Sequence, residues 1–217
     1  MVADVVAKHL VEAAKFFKEK LNVPIPKNLI KTPRSLLVIG TSEFKGKIIP
    51  FFYDKSQGKI VCNEQIIKEA IDPQNRFVES IPEEEKQYVR QIFPSADEKA
   101  LLYLYNTIVQ NKYSQKYLLR NMIHELYHLL IHKGIIGRPN LLSEEERKRV
   151  TDPNYENEEI GATLLEGLIS DEPTLTTQAH PEFLTQKIRN LIDEFNKIRE
   201  EKEESECWRA FKQKFNI

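Results

Sequence analysis

Two histidines placed four residues apart, with a glutamate directly after the first, are the side chains of this sequence best suited to chemistry. They lie in the segment His124-Glu125-Leu126-Tyr127-His128. Four residues of an α-helix turn through about 400° and rise about 6 Å, so both imidazoles project from one face. A single zinc ion can bridge such a pair at about 2.0–2.1 Å. Glu125 points off that axis, which keeps its carboxylate away from the metal but within reach of a water molecule there.

This arrangement predicts metal-dependent hydrolysis. Water is a poor nucleophile at neutral pH, and a catalytic zinc lowers its pKa from about 15.7 toward about 7. Glu125 is the predicted general base, which takes a proton from the attacking water and passes it to the leaving amine. The predicted reaction is therefore zinc-dependent hydrolysis of a peptide bond in a protein or peptide substrate.

Two other interpretations of the motif stay open. In the first, the chain is a non-catalytic metal-binding regulatory or interaction protein that retains the helix and its histidines. In the second, the histidines are buried and hydrogen-bonded without a metal. Metal content separates the second interpretation from the others, and peptide digestion separates a peptidase from a regulator that holds zinc yet cleaves nothing.

A catalytic zinc usually takes three protein ligands, so one more is needed beyond the two histidines. The candidates are the glutamates of a helix predicted at 154–169: Glu156, Glu158, Glu159 and Glu166. The buried stripe of that helix includes Ile160; Glu156 and Glu159 adjoin it, and Glu166 does so less closely. Glu158 stands about 200° from Ile160 and is expected to face solvent. On spacing alone, Glu156 and Glu159 stay open as the third ligand.

The stretch from His124 to His132 resembles the active-site helix of ImmA/IrrE-type metallopeptidases. It reads H-E-L-Y-H-L-L-I-H, where that family has H-E-L-G-H followed by a histidine four residues on. In that family, and in gluzincins broadly, the third zinc ligand is the glutamate of an E-x-x-A pattern on a downstream helix. Residues 159–162, Glu-Ile-Gly-Ala, match this pattern. The resemblance therefore implies Glu159 as the third ligand, with Glu156 as its rival.

This resemblance covers roughly residues 46–63 and 115–170. Tyr127 stands where the family has glycine, and Glu166 stands where it often has alanine. What the resemblance implies is a gluzincin-type zinc metallopeptidase with a zincin-like fold. Zincins bind an extended substrate along the strand over the active-site helix, which implies that role for Gly58 to Asn63 here.

Three further side chains are candidates for a place near the site. His132 lies four residues beyond His128, too far along the helix to share the same metal, and is expected to make an outer contact or to lie at the surface. Tyr155 and His180 can each donate a hydrogen bond to an oxyanion. Nothing in the spacing chooses between these two.

Apolar periodicity predicts the elements that must position these residues. The motif lies between Ser114 and Gly134, in a segment that is apolar almost all round, which predicts a central buried helix. An amphipathic helix is predicted at the N-terminus, strands at 35–39, 47–53 and 59–62, and further helices at 64–71, 82–92, 97–111, 115–133, 143–149, 154–169 and 182–215. The predicted fold is α+β and zincin-like, with a small antiparallel or mixed sheet packed on the central active-site helix and additional helices around them.

The chain is expected to divide into three segments. Residues 1–30 form an N-terminal helix and linker, residues 31–170 the metallopeptidase domain, and residues 171–217 a C-terminal helical arm. Apolar residues of the arm recur at helical spacing. This stripe is interpreted either as a surface for an oligomer or partner or as an arm packed on its own domain.

Composition excludes several classes of protein. The 32 basic and 33 acidic residues leave a net charge of −1, so no overall field attracts nucleic acid or an anionic membrane. Charged residues interrupt the first apolar run, which predicts neither a signal peptide nor a membrane span. Only two cysteines are present, which favours a reducing compartment over a disulfide-bonded secreted scaffold. The expected location is the cytoplasm.

Overall fold

The protein has a mixed α/β fold that is mostly helical and contains one small sheet, as the sequence predicted at this level. A computed structural model describes residues 2–40, 49–71, 79–81, 83–92, 94–112, 115–169 and 181–217. Within them the helices are α1 (Val2–Leu21), α2 (Lys27–Lys31), α3 (Glu64–Ile71), α4 (Glu83–Ile92), α5 (Glu98–Lys112), α6 (Gln115–His132), α7 (Glu144–Arg147), α8 (Pro153–Ile169), α9 (Glu182–Glu201) and α10 (Glu204–Phe215). The strands are β1 (Leu37–Gly40), β2 (Phe51–Asp54) and β3 (Lys59–Asn63), and a short 3-10 helix precedes β1.

The sheet is mixed and has the order β1-β3-β2. β1 runs parallel to β3, and β2 runs antiparallel to β3. A tight turn joins β2 to β3, in which the Asp54 carboxylate accepts hydrogen bonds from the backbone N–H of Ser56 at 2.8 Å and of Gln57 at 3.2 Å. Gly58 closes this turn with a φ of 63°, a conformation that glycine adopts without strain. The turn therefore pairs β2 with β3, and the strand order places β2 at the outside of the described sheet.

The prediction that Gly58 to Asn63 binds substrate by edge pairing is wrong. This segment forms β3, the middle strand, whose two edges are already paired with β1 and β2. The edge beside α6 belongs to β2, because the backbone N–H of Tyr53 points away from β3 and donates to Glu125 at 2.6 Å. A substrate strand can therefore pair only with an outer strand. Of the two outer strands, β2 is the one that contacts Glu125.

Helix α6 lies at the centre of the fold, and α1, α8 and the sheet pack against it. Its apolar residues are buried on nearly every side, as predicted, among them Leu118, Met122 and Leu129. The helix ends in a Schellman motif, where Gly134 has a φ of 67° and Ile135 N–H donates to the carbonyl of Leu130 at 2.9 Å. The segment from His124 to His128 therefore lies inside α6, in a helix whose C-terminal end is capped.

Tyr127 and Gly161 set how closely α6 and α8 approach each other. The Tyr127 side chain is fully buried, and its hydroxyl has no hydrogen-bond partner among the described residues. A Cβ atom added at Gly161 would lie 2.8 Å from the Tyr127 ring carbon Cζ and closer still to the hydroxyl oxygen. The bulk that replaces the glycine of the resembled family at Tyr127 is therefore matched by the absence of a side chain at Gly161.

We expect Gly161→Ala to lower the free energy of unfolding of the metal-free protein by about 1–2 kcal/mol, because overpacking outweighs the helix preference of alanine. Tyr127→Phe alone should be neutral or stabilising, since it removes an unpartnered buried hydroxyl. The double variant should recover part of the loss. Urea denaturation of the four proteins measures this, and equal losses with and without the hydroxyl would show that the hydroxyl contributes nothing to the clash.

The C-terminal segment forms two helices where the sequence predicted one at 182–215. Lys202, with φ −124° and ψ −101°, ends α9, and α10 folds back against it. The single-helix prediction is wrong because the apolar residues on either side of the charged run bury one another. The Phe195 and Phe211 rings lie 5.7 Å apart, and Trp208 packs edge-on against Phe16 of α1 at 5.4 Å.

A single large core joins these elements. It contains buried residues of α1, the sheet, α6, α8, α9 and α10, so it draws on all three segments predicted from the sequence. The predicted N-terminal helix docks on α6 through residues such as Leu10 and Phe17. A separate small cluster lies between α4 and α5. Among the described residues, no helix is both long and apolar enough to cross a membrane.

Candidate metal centre

Helices α6 and α8 bring together two imidazoles and one carboxylate. The Nε2 atoms of His124 and His128 lie 3.2 Å apart. The Glu159 carboxylate faces both, with Oε2 at 3.4 Å from His124 Nε2 and Oε1 at 3.2 Å from His128 Nε2. All three side chains are buried. Among the described residues, this is the group of histidine, cysteine and acidic side chains whose ligand atoms converge closely enough to hold a metal ion.

Helix α8 presents Glu159 because its own start is fixed. The Asp152 carboxylate accepts hydrogen bonds from the N–H groups of Asn154 at 3.0 Å and Tyr155 at 3.1 Å, and Pro153 occupies the first helical position. The helix predicted at 154–169 therefore begins at a defined cap. The Asn157 side chain then accepts from the Leu141 N–H at 2.6 Å, which ties α8 to the segment that follows α6.

The donor set of this cluster fits a zinc ion. Two imidazole nitrogens and one carboxylate oxygen form one of the combinations that proteins use at catalytic zinc sites. Glu159 is 2% exposed, and its Oε2 atom has no hydrogen-bond partner of good geometry among the described residues. A buried acceptor left in this state is costly unless a cation or a proton approaches it. His124, His128 and Glu159 can therefore hold an ion between α6 and α8.

The carboxylates around His124 and His128 favour the protonated, positively charged form of both imidazoles. Burial acts to lower the pKa of His128, yet Glu158 and Glu159 raise it to about 9. Burial also opposes charge on His124, but the Glu166 and Glu159 carboxylates bring its pKa well above the usual value. Burial raises the pKa of Glu159, and the two adjacent imidazoles reverse this and bring it well below the usual range. The cluster therefore attracts positive charge.

Glu125 lies beside this cluster and is held by the sheet. Its Oε2 atom accepts the Tyr53 backbone N–H at 2.6 Å, and the side chain is buried. Burial raises the pKa of Glu125, although the neighbouring histidines act to lower it. A carboxylate whose pKa is raised toward neutrality is a more effective proton acceptor and donor at neutral pH.

A cavity of about 450 Å³ gives access to the cluster. Its walls include Phe52 and Tyr53 of β2, Glu125 and His128 of α6, and Tyr155 of α8. The size falls within the range of pockets that hold small ligands or a few residues of a peptide. A larger cleft of about 650 Å³ between α1 and α10 contains none of the candidate site residues, which line the smaller cavity instead.

Tyr155 is the candidate oxyanion donor that lies at the site. The residue is 49% exposed, and its ring lies parallel to the His128 ring at a centroid distance of 6.4 Å. Burial raises the pKa of Tyr155, and the nearby Glu159 carboxylate raises it further. The other candidate, His180, lies outside the described residues.

The prediction that Glu158 faces solvent is wrong. Its Oε2 atom lies 3.4 Å from His128 Nδ1, and its Oε1 atom accepts a 2.6 Å hydrogen bond from Arg138 Nε. The side chain is largely buried because the segment after α6, which carries Arg138, crosses this side of α8. Glu166 lies 3.1 Å from His124 Nδ1, and Glu156 lies outside the converging cluster. Sequence reasoning weighed both Glu158 and Glu166 only as metal ligands and missed these contacts.

His132 and Cys62 take no part in the cluster. The exposed His132 ring forms a hydrogen bond through Nδ1 with the Tyr53 hydroxyl, which links α6 to β2. Cys62 is a buried free thiol on β3. Burial, with a smaller contribution from the Glu125 charge, raises the pKa of Cys62 to about 12, so the thiol stays protonated at neutral pH.

Comparison with known proteins gives no relative: no family model, curated protein or solved structure matches the chain. The resemblance of the segment from His124 to His132 to ImmA/IrrE-type peptidases therefore stays a prediction from the motif. The convergence of α6, α8 and β2 on one cavity is independent of that resemblance, and the functional proposal rests on it.

We expect zinc uptake by the metal-free protein to release at least one proton at pH 7.5, because a zinc ion must displace protons from imidazoles whose pKa is raised. Apparent zinc affinity should then fall as pH falls through about 9, the pKa of His128. Histidines with an ordinary pKa near 6.5 would release almost none at pH 7.5. Calorimetric titration in buffers of different ionisation enthalpy counts the protons, and an enthalpy independent of buffer would contradict this.

Proposed function

We propose that the protein is a zinc-dependent metallopeptidase of gluzincin type, with His124, His128 and Glu159 as the metal ligands and Glu125 as general base. The observation that carries this proposal is the convergence of the two Nε2 atoms and the Glu159 carboxylate beside Glu125. A zinc ion bound there would act as a Lewis acid, which makes water more acidic and polarises a carbonyl group.

Glu125 moves the proton in the proposed reaction. Its carboxylate takes a proton from the attacking water as the new C–O bond forms, and then donates that proton to the leaving nitrogen as the C–N bond breaks. The products are a carboxylic acid and an amine. The Tyr53 N–H keeps one carboxylate oxygen in place, and the raised pKa of Glu125 helps the group act in both directions.

The outer edge of β2 is the proposed binding site for an extended polypeptide. At Tyr53 its backbone groups point away from β3, toward the cavity and α6; the N–H donates to Glu125, so a substrate strand would pair there through the carbonyl. A peptide that adds there as a further strand would lie across Glu125 and the histidines. Tyr155, half-exposed at the rim, is positioned to donate a hydrogen bond to the developing oxyanion. This arrangement of edge strand and active-site helix supports a zincin-like fold.

A reducing compartment, the cytoplasm, is the proposed location. Cys62 and Cys207 are both free and buried, which suits a protein that never forms a disulfide. The near-zero net charge supports a protein or peptide substrate over nucleic acid. The apolar residues of α9 and α10 pack within the chain, so a partner surface on that arm would have to use its charged face.

Elemental analysis together with a digestion assay tests the proposed function. The expected result is about one zinc per chain, and cleavage of unfolded casein or a peptide library that stops on addition of a chelator and returns with Zn²⁺. A protein that takes up neither Zn²⁺ nor Co²⁺ at pH 7.5 would refute the metal site. A protein that holds zinc and cleaves nothing would favour the non-catalytic metal-binding regulator.

A further inference from the structure

Each of the two clustered histidines has a second carboxylate on the far edge of its ring. His124 Nδ1 lies 3.1 Å from Glu166 Oε1, and His128 Nδ1 lies 3.4 Å from Glu158 Oε2. Both contacts are on the Nδ1 side, whereas the Nε2 atoms face Glu159 and each other. Glu158 and Glu166 therefore approach the imidazoles from outside the converging cluster, where neither can be a ligand to an ion held by the Nε2 atoms.

The two outer carboxylates differ in how firmly they are held. Arg138 Nε donates to Glu158 Oε1 at 2.6 Å, which leaves the other oxygen of that carboxylate facing His128. Glu166 stands in the last part of α8 and is partly exposed. Its distance to His124 Nδ1 is that of a hydrogen bond but the angle is poor, so a small rotation of the flexible Glu166 side chain is needed to complete the bond.

We propose that Glu158 and Glu166 are positioning residues that retain the metal ion by orienting His128 and His124. This inference rests on the metal site of the proposed function. A carboxylate that accepts the Nδ1 proton fixes the imidazole tautomer, so the Nε2 lone pair is free for an ion. It also fixes the ring plane and makes the imidazole a stronger donor. Partners of this kind contribute about 10- to 100-fold to metal affinity.

The zinc-release rate tests this role without any substrate. Zinc-loaded parent, Glu158→Gln and Glu166→Gln are mixed with excess chromophoric chelator, and the rate of zinc transfer is followed. Glutamine keeps the size of the side chain but is a much weaker acceptor, so we expect release about 10- to 100-fold faster in each variant. Glu200→Gln removes one negative charge from an exposed position on α9 and should release zinc at the parental rate.

Arg138→Met separates positioning from simple stabilisation by the ion pair. This variant breaks the contact between Arg138 and Glu158 but leaves the carboxylate beside His128. We expect it to release zinc more slowly than Glu158→Gln does. Equal release by these two variants would mean that only the ion pair matters, and would overturn the proposed role of Glu158.

The possible failures of the two proposals are distinct. If the parent protein binds no zinc, both the metal site and this inference are refuted. Parent that binds zinc but cleaves no peptide would refute the peptidase and leave this inference intact. Release rates of Glu158→Gln and Glu166→Gln within about threefold of the parent, or an equal change in Glu200→Gln, would overturn the inference while the metal site stands.

Discussion

Glu125→Gln is expected to slow peptide hydrolysis by about 10²- to 10⁴-fold while the zinc content of the protein stays at the parental level. Glutamine keeps the length of the side chain and an oxygen that accepts the Tyr53 N–H, so the position of the group is preserved. What is lost is the ability to take a proton from water and return it to the leaving amine. The loss should therefore appear in kcat more than in KM.

Two measurements check this prediction. Elemental analysis establishes whether zinc is retained, and steady-state hydrolysis of a fluorogenic peptide gives the rate. Glu200→Gln carries the same change at an exposed site and should cleave at the parental rate. Parental activity in Glu125→Gln would rule out Glu125 as the base, whereas loss of zinc from this variant would indicate that Glu125 is a metal ligand.

The helix that carries the motif was predictable from the sequence because its signals are local. Apolar residues on nearly every side indicate burial, and Gly134 marks the end, so the prediction of 115–133 agrees closely with α6 at Gln115–His132. His124 and His128 then share a face by helix geometry alone. The start of α8 was predictable for a similar reason, since Asp152 followed by proline is a local helix-capping signal.

Contacts between distant segments were not predictable in the same way. The strands were recognised from their composition, but which of them is central depends on pairing between β1 and β3, across more than 20 residues of chain. The break at Lys202 depends on aromatic residues of α9 and α10 burying each other, whereas helix periodicity continues across the charged run.

Of the two carboxylates that contact the histidines at Nδ1, only Glu166 could have been predicted from the sequence to lie near the site. Glu166 follows Glu159 by seven residues, close to two full turns, so both project from one side of α8. The position of Glu158 had no such signal. Its burial beside His128 depends on the segment after α6, which carries Arg138 and crosses that side of the helix.

Glu159→Ala is expected to weaken zinc binding by more than about 100-fold, beyond the range of outer carboxylates, and to abolish hydrolysis. Glu159 is the acidic side chain that faces both Nε2 atoms, so its removal leaves two ligands for an ion that needs at least three.

Glu156→Ala is the matched control, because it makes the same change about one turn earlier on α8, at a position outside the converging cluster. It should bind zinc nearly as tightly as the parent. Competition with a chelator of known affinity at pH 7.5 gives both dissociation constants, and far-UV circular dichroism establishes that each variant is folded. A large loss in Glu156→Ala together with a parental value in Glu159→Ala would transfer the third ligand to Glu156. Comparable large losses in both would indicate that α8 as a whole, rather than one carboxylate, holds the ion.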